Sequence, residues 1–193
     1  MSAELANVQT AELPSFERLQ ELLFAAARMG RDDVLPALVQ AGAALEGPDP
    51  KGYTALILAS YNGQDSMTEL LLSLGARPDG CDSERGNTAF MGVAFKGYSA
   101  IARLLIDGGA DVNARNFAGQ TALMTAALFN RTDMIELLLA AGADPALTDA
   151  SGNTVVTLAR LQGNQALVDR FAALAGREPA NTDIGRLVSA QVG

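Results

Sequence analysis

The sequence predicts an all-α solenoid of helix-turn-helix units joined by β-turn-like loops. Three observations predict it. Threonines at 54, 88, 121 and 154 stand 34, 33 and 33 residues apart. A glycine recurs at 30, 63, 97 and 163, with Asn130 in the one missing place. The tripeptide Gly109-Ala110-Asp111 returns 33 residues later as Gly142-Ala143-Asp144. Self-similarity at a fixed period marks an array, in which each unit exposes an apolar face that only its neighbours can cover.

The stretch from Gly109 to Asp144 shows how one unit is built. Gly109 leaves a helix through a residue that tolerates the left-handed conformation. Asn116-Phe117-Ala118-Gly119 is turn chemistry. Thr121 then caps a thin helix through Ala122, Leu123, Ala126 and Ala127. The chain breaks at Asn130-Arg131-Thr132-Asp133, and a bulkier helix follows with Ile135, Leu137, Leu138 and Leu139. Neither helix is long enough to be stable alone in water.

The other units follow in order. Residues 1–14 carry no periodicity and are expected to form a flexible leader. Ser15 is a candidate cap for a helix carrying Leu19, Leu22, Leu23 and Ala26, which Gly30 ends; a second helix runs from about Asp33 to Gln40. This pair, 15–48, lacks a preceding turn and reads as the N-terminal capping unit. Its polar Arg18, Gln20 and Glu21 suit an outer face. Further units are expected at 49–82, 83–115, 116–148 and 149–176, opened by Asp49-Pro-Lys-Gly52, by Gly86, by Asn116 and by Gly152. Residues 177–193 leave the pattern, and Thr182–Val188 either packs as a helical turn on the last unit or frays.

Composition narrows the function. The chain has 193 residues, is 49% hydrophobic and has no histidine. That removes the commonest general base and metal ligand, and with it Ser-His and Cys-His chemistry. One cysteine, Cys81, permits no internal disulfide, and its acidic neighbours Asp79, Asp82 and Glu84 disfavour a reactive thiolate. No phosphate loop, dinucleotide turn or metal-ligand spacing occurs. Asp79–Glu84 lacks the alternating oxygens of a calcium loop. The expectation is therefore no enzyme, no cofactor and no metal. The net charge of −8 offers nothing to nucleic acid or an anionic membrane surface and would draw a basic protein partner, although solubility alone also explains such a charge. Met1–Leu13 lacks a basic n-region, so the default compartment is the cytoplasm, or the periplasm if a signal peptide has been removed.

Over residues 17–176, Asp-x-x-Gly-x-Thr-Ala-Leu, Ala-Ala and Leu-Leu-Leu-x-x-Gly-Ala-Asp at a 33-residue period resemble the ankyrin repeat. The resemblance implies a solenoid that binds proteins along the turns and the exposed side of the first helices. The family's Thr-Pro-Leu-His is here Thr54-Ala-Leu-Ile, Thr88-Ala-Phe-Met, Thr121-Ala-Leu-Met and Thr154-Val-Val-Thr. Proline at the first helical position pre-sets the backbone, and in the family the histidine ties the turn by hydrogen bonds. Their loss predicts looser turns and modest stability, with apolar side chains in the histidine's place.

The register places the candidate contact residues: Arg28 and Met29; Lys51, Tyr53, Tyr61 and Asn62; Arg85, Phe95 and Lys96, with Glu84 and Asn87; Phe117, Leu128 and Phe129, with Gln120; and Leu161, with Ser151, Asn153 and Gln162. Five of the ten aromatics fall here, where an idealised array gives them no structural task. Aromatics and arginine dominate interface hot spots. The competing reading is that Phe95, Leu128 and Phe129 pack sideways on the next unit. The functional expectation is a monomeric, non-enzymatic module that binds another protein, the alternative being an inhibitory or protective partner of an enzyme or toxin.

Overall fold

The computed structural model describes residues 14–175. The expected leader, Pro14 apart, and the expected tail, including Thr182–Val188, lie outside the described residues. Within them the regular structure is helical: α1 Phe16–Met29, α2 Leu35–Gln40 with a 3₁₀ lead-in at Asp32–Val34, α3 Ala55–Tyr61, α4 Asp65–Ser73, α5 Ala89–Lys96, α6 Ser99–Asp107, α7 Ala122–Leu128, α8 Thr132–Ala140, α9 Val155–Leu161 and α10 Gln165–Ala175. No helix among the described residues is long and apolar enough to cross a membrane.

The helices stand in two rows. The inner row is α1, α3, α5, α7 and α9, each packed on the next; in the outer row α4, α6 and α8 pack in turn. Side-chain size decides which row is which. Ala55, Ala59, Ala89, Ala94, Ala122, Ala126, Ala127 and Ala159 are buried where inner helices meet. Alanine adds only a methyl group to the backbone at such positions, which lets neighbouring inner helices approach closely. Leu71, Ile101, Leu105, Met134, Ile135 and Leu138 are fully buried on the outer row, where bulk fills the space between the rows. Removing a side chain of that size costs about 2–5 kcal/mol in a packed core.

Each inner helix starts the same way. The hydroxyls of Thr54, Thr88, Thr121 and Thr154 accept from the backbone N–H three residues on, at 3.3–3.4 Å. The residues standing in the histidine's place divide by chemistry. Ile57, Met91 and Met124 are buried. Thr157 instead completes a capping box, its hydroxyl 2.8 Å from the Thr154 amide.

The turns are tied by side chains the sequence reading did not weigh. Asp49 Oδ1 accepts from the amides of Lys51 and Tyr53 at 2.9 and 3.0 Å. Asn116 Oδ1 accepts from Ala118 and Gln120 at 3.0 and 2.9 Å, and Asp149 Oδ1 from Ser151 and Asn153 at 2.9 and 2.8 Å. The third turn is one residue longer, with six steps from Asp82 to Thr88 against five from Asp49 to Thr54. There both Asp82 oxygens are engaged, by Glu84, Arg85 and Asn87. Backbone bonds stitch the third turn to the fourth (Phe117 N to Arg85 O, 2.9 Å) and the fourth to the fifth (Ala150 N to Ala118 O, 2.8 Å). In each of these turns the side chain of the first residue ties the backbone that follows it.

One assignment changes. Arg18 and Glu21 do lie on the surface, paired at 2.8 Å. Gln20 does not: it is buried, and its amide bridges both the N–H and the C=O of Ala44 at 3.0 and 2.9 Å. At 100° per residue, Gln20, lying between Arg18 and Glu21, points elsewhere, and the capping unit uses that position to hold its own exit loop.

Between the paired helices, Gly30, Gly63, Gly97 and Gly163 adopt φ of 67–82°. Asn130 fills the equivalent place at φ 51°, and it is the one non-glycine with positive φ among the described residues. Asparagine tolerates this region better than other side chains. Asn130→Ala should lower the urea-unfolding stability by about 1–2 kcal/mol, and Asn130→Gly should not. A second outcome concerns pH. Hydrogen bonds from the Asn153 side chain and amide, with smaller help from the Ser151 amide and the Arg115 charge, hold the Asp149 carboxyl below its ordinary value of 3.8 despite burial. A depressed folded-state pKa gives stability that is present above the unfolded value and lost as the pH falls through the folded one. Asp149→Asn copies the amide found at Asn116. Its stability deficit at neutral pH should therefore shrink as urea unfolding is repeated below about pH 3.8.

Candidate functional site

The inner helices present one stripe away from the outer row. In each unit it comprises the residues three, four and seven steps beyond the capping threonine: Ile57, Leu58 and Tyr61; Met91, Gly92 and Phe95; Met124, Thr125 and Leu128. With Tyr53, Phe129 and Leu158 they line one groove of about 480 Å³, closed on the turn side by Asp82, Arg85, Asn87, Thr88 and Gln120. A groove of that volume is in the range that accommodates a small ligand or one or two anchoring side chains.

Three rings run along it. Tyr61 and Phe95 lie parallel with centroids 6.4 Å apart. Phe129 meets Phe95 edge-on at 4.5 Å, an attractive geometry for aromatic pairs. Phe95 is half-buried between the other two, whereas Tyr61 and Phe129 stay 41% and 44% exposed. The sideways-packing reading therefore describes both Phe95 and Phe129, which meet across neighbouring units, although Phe129 stays partly exposed. Lys96 Nζ lies 4.8 Å from the Tyr61 ring centre and 5.9 Å from that of Tyr98, within cation–π range.

The candidate residues separate accordingly. Tyr53, Tyr61, Arg85, Phe95, Leu128 and Phe129 line the groove, with Lys96 beside it. Arg28 is engaged elsewhere, donating from Nη2 to Asp49 Oδ2 at 2.6 Å. Asn62 donates to the carbonyl of Leu58 at 2.7 Å in its own helix. Met29, Lys51, Phe117 and Leu161 are exposed outside the lining, Phe117 at 68% and seated over Gly86. Sequence reasoning missed Met91, Met124 and Gly92 as groove residues. The spacing of four between Met91 and Phe95, and between Met124 and Leu128, was the available sign of a shared helix face.

Gly92 has a specific reason to be small. A Cβ there would lie 3.2 Å from Cδ2 of Tyr61, so the tyrosine ring rests against bare backbone. The glycine stands within the helix α5, where it costs about 1 kcal/mol relative to alanine.

The charge around the groove opposes that of the whole chain. In the turns, inner helices and breaks, Asp49, Asp82 and Asp149 are buried against turn amides. Around the groove, the turn tips, the helices α3, α5, α7 and α9 and the breaks after them leave Lys51, Arg85, Lys96, Arg131 and Arg160 toward solvent, with Glu84 as the exposed carboxylate; α1 and the break after it add the exposed Glu17, Glu21 and Asp33 beside Arg18, Arg28 and Arg31. The outer helices α4, α6, α8 and α10 carry Asp65, Glu69, Asp107, Asp133, Glu136 and Asp169 against Arg103 and Arg170. With six acidic and two basic residues, these four helices contribute −4 to the net charge of −8.

Comparison with known proteins follows the same geometry. The family model described as ankyrin repeats (3 copies) matches residues 6–82 and 74–149. The chain is 42% identical over 96 residues to the ankyrin repeat domain-containing protein SAT10 of Stachybotrys chartarum, which covers 50% of this chain and 5% of that protein. It is 35% identical over 102 residues to a protein of Treponema pallidum named as ankyrin repeat-containing, covering 53% of this chain and 33% of that one. The matched stretches are thus a small part of the first relative and about a third of the second.

Gly92→Ala tests the conflict between helix and groove. It should raise the midpoint of urea unfolding, by up to about 1 kcal/mol of helix propensity, because the exposed Tyr61 ring can shift the few tenths of an ångström required. A fall in stability would show that the ring is locked.

Proposed function

Since the chain belongs to the ankyrin repeat family, whose repeats generally serve as protein–protein interaction modules, we propose that it is a non-enzymatic binding protein that holds a partner through this inner-helix groove. The observation that carries the reading is the repetition of one stripe. Three successive inner helices turn the same three positions toward the groove, fill most of them with apolar side chains, and leave Tyr61, and Phe129 one step past the stripe, partly uncovered. Core packing alone gives no reason to place aromatic rings on a face with no neighbouring element. Contiguous exposed apolar surface of this kind marks interaction sites.

The groove is an anchor point within a larger contact. Specific complexes bury about 800 Å² on each partner, more than the lining of one such groove supplies. The remaining contact is assigned to the exposed residues around it: Met29, Lys51 and Asn62 on the first side, and Phe117 and Leu161 on the second. Met29, 65% exposed, and the groove methionines Met91 and Met124 are unbranched and adapt their shape to a ligand. The absence of histidine from the whole sequence supports the non-enzymatic part of the reading.

Tyr61→Ala combined with Phe129→Ala is the test, with Phe95 left in place because it holds both neighbours. Against any peptide selected on the wild-type chain, the double variant should lose roughly 30-fold or more in affinity, the loss of a hot spot of about 2 kcal/mol. Its helical circular dichroism should be unchanged. Retained affinity would move the binding face elsewhere.

A further inference from the structure

Resting on the proposed binding role of the groove, the geometry points to the chemistry of what it takes: an acidic peptide segment carrying one aromatic or aliphatic anchor side chain. The sequence-wide charge would select a basic partner, but the groove does not share that charge. Its walls are apolar, from Met91 and Met124 beneath to Tyr61 and Phe129 at the rim, and that shape asks for an apolar anchor. Its two ends carry cations. Arg85 lines the turn side, and Lys96 stands over Tyr61 on the other. Neither makes a salt bridge among the described residues, in contrast to Arg18, Arg28, Arg31, Arg77 and Arg170.

The carboxylates that could neutralise them are already committed. Asp82, the acidic residue lining the groove, is buried and accepts three turn amides through its two oxygens. It fixes the turn and presents little free lone pair to a ligand. Glu84, next to Arg85, is the exposed carboxylate on the turn tips, on α3, α5, α7 and α9 and on the breaks after these helices. Against it stand Arg85, Lys96, Lys51, Arg131 and Arg160 on the same segments. A short carboxylate-bearing segment samples this local field. A long polyanion also meets the carboxylates of the outer helices, whose repulsion reaches about 10 Å at moderate salt. That favours an acidic peptide over a nucleic acid.

Random peptides of roughly a dozen residues, enough extended chain to cross the groove, can be selected on the full-length protein by phage display. Enriched peptides should be acidic with a Phe, Tyr, Leu or Met anchor, should lose binding on Tyr61→Ala with Phe129→Ala, and should weaken with added salt. Arg85→Glu with Lys96→Glu should lower their affinity roughly 30-fold, the sum of two exposed charge contacts at the upper end of their range, and should shift a repeated selection toward basic peptides. Circular dichroism and urea midpoints near wild type confirm that both variants fold. Groove-dependent peptides that are neutral or basic would overturn this inference and leave the binding role standing. Enriched peptides that ignore the groove substitutions, or no enrichment, would overturn both. A fluorescein-labelled oligothymidylate bound more tightly than the acidic peptides would overturn it in favour of nucleic acid.

Discussion

The structure depends on how closely the inner helices approach one another. Alanine at the shared positions, Ala55 and Ala59 in one helix, Ala89 and Ala94 in the next, Ala122 and Ala126 after them, adds only a methyl group to each backbone. A helix so thin on the sides it shares with its neighbours can carry bulk only toward the outer row or away from it. The outward stripe is therefore the one place on the inner row where residue choice is free. The groove is a consequence of the stacking rule and of what fills that stripe, and no separate element had to be added to make it.

A second economy operates in the turns. A carboxylate at the first turn position accepts two or three backbone amides, and such charge-assisted bonds are about twice as strong as neutral ones. It also takes negative charge off the surface at the rim of the binding face. The same residues that make the turns rigid therefore decide the sign of the field beside the groove. The fourth turn does this with Asn116 and no charge, so the rim need not be built from carboxylates for the turn to hold.

Much of the fold was legible in the sequence because its causes are local and repeated. A capping threonine, a glycine or asparagine of positive φ and an alanine-then-leucine alternation each act within a few residues, and the period multiplies them. The site was legible only in part. Tyr61, Phe95 and Phe129 could be placed on the inner face by register, but their mutual packing could not, because it joins residues about a period apart. Met91 and Met124 read in the sequence only as apolar residues in the histidine's place, since a buried residue and a groove floor share one composition. Gln20 was misplaced because its task, holding Ala44, lies 24 residues away. The charge division was hidden for a different reason. Counting acids and bases takes no account of which carboxylates are already occupied by amides.

The longer third turn has a meaning that the repeat pattern alone would file as a blemish. An added residue inside a helix would rotate every later side chain by about 100°, whereas at a turn tip the next capping threonine, Thr88, restores the phase. The extra length lies in the segment that carries Glu84 and Arg85, and Arg85 reaches the groove. In a solenoid, then, loop length is a heritable variable that can be changed at one rung without disturbing the ladder. This chain has used it once, at the rung beside its aromatic cluster. A change of length there alters what the turn presents to the groove and leaves the stacked helices in phase.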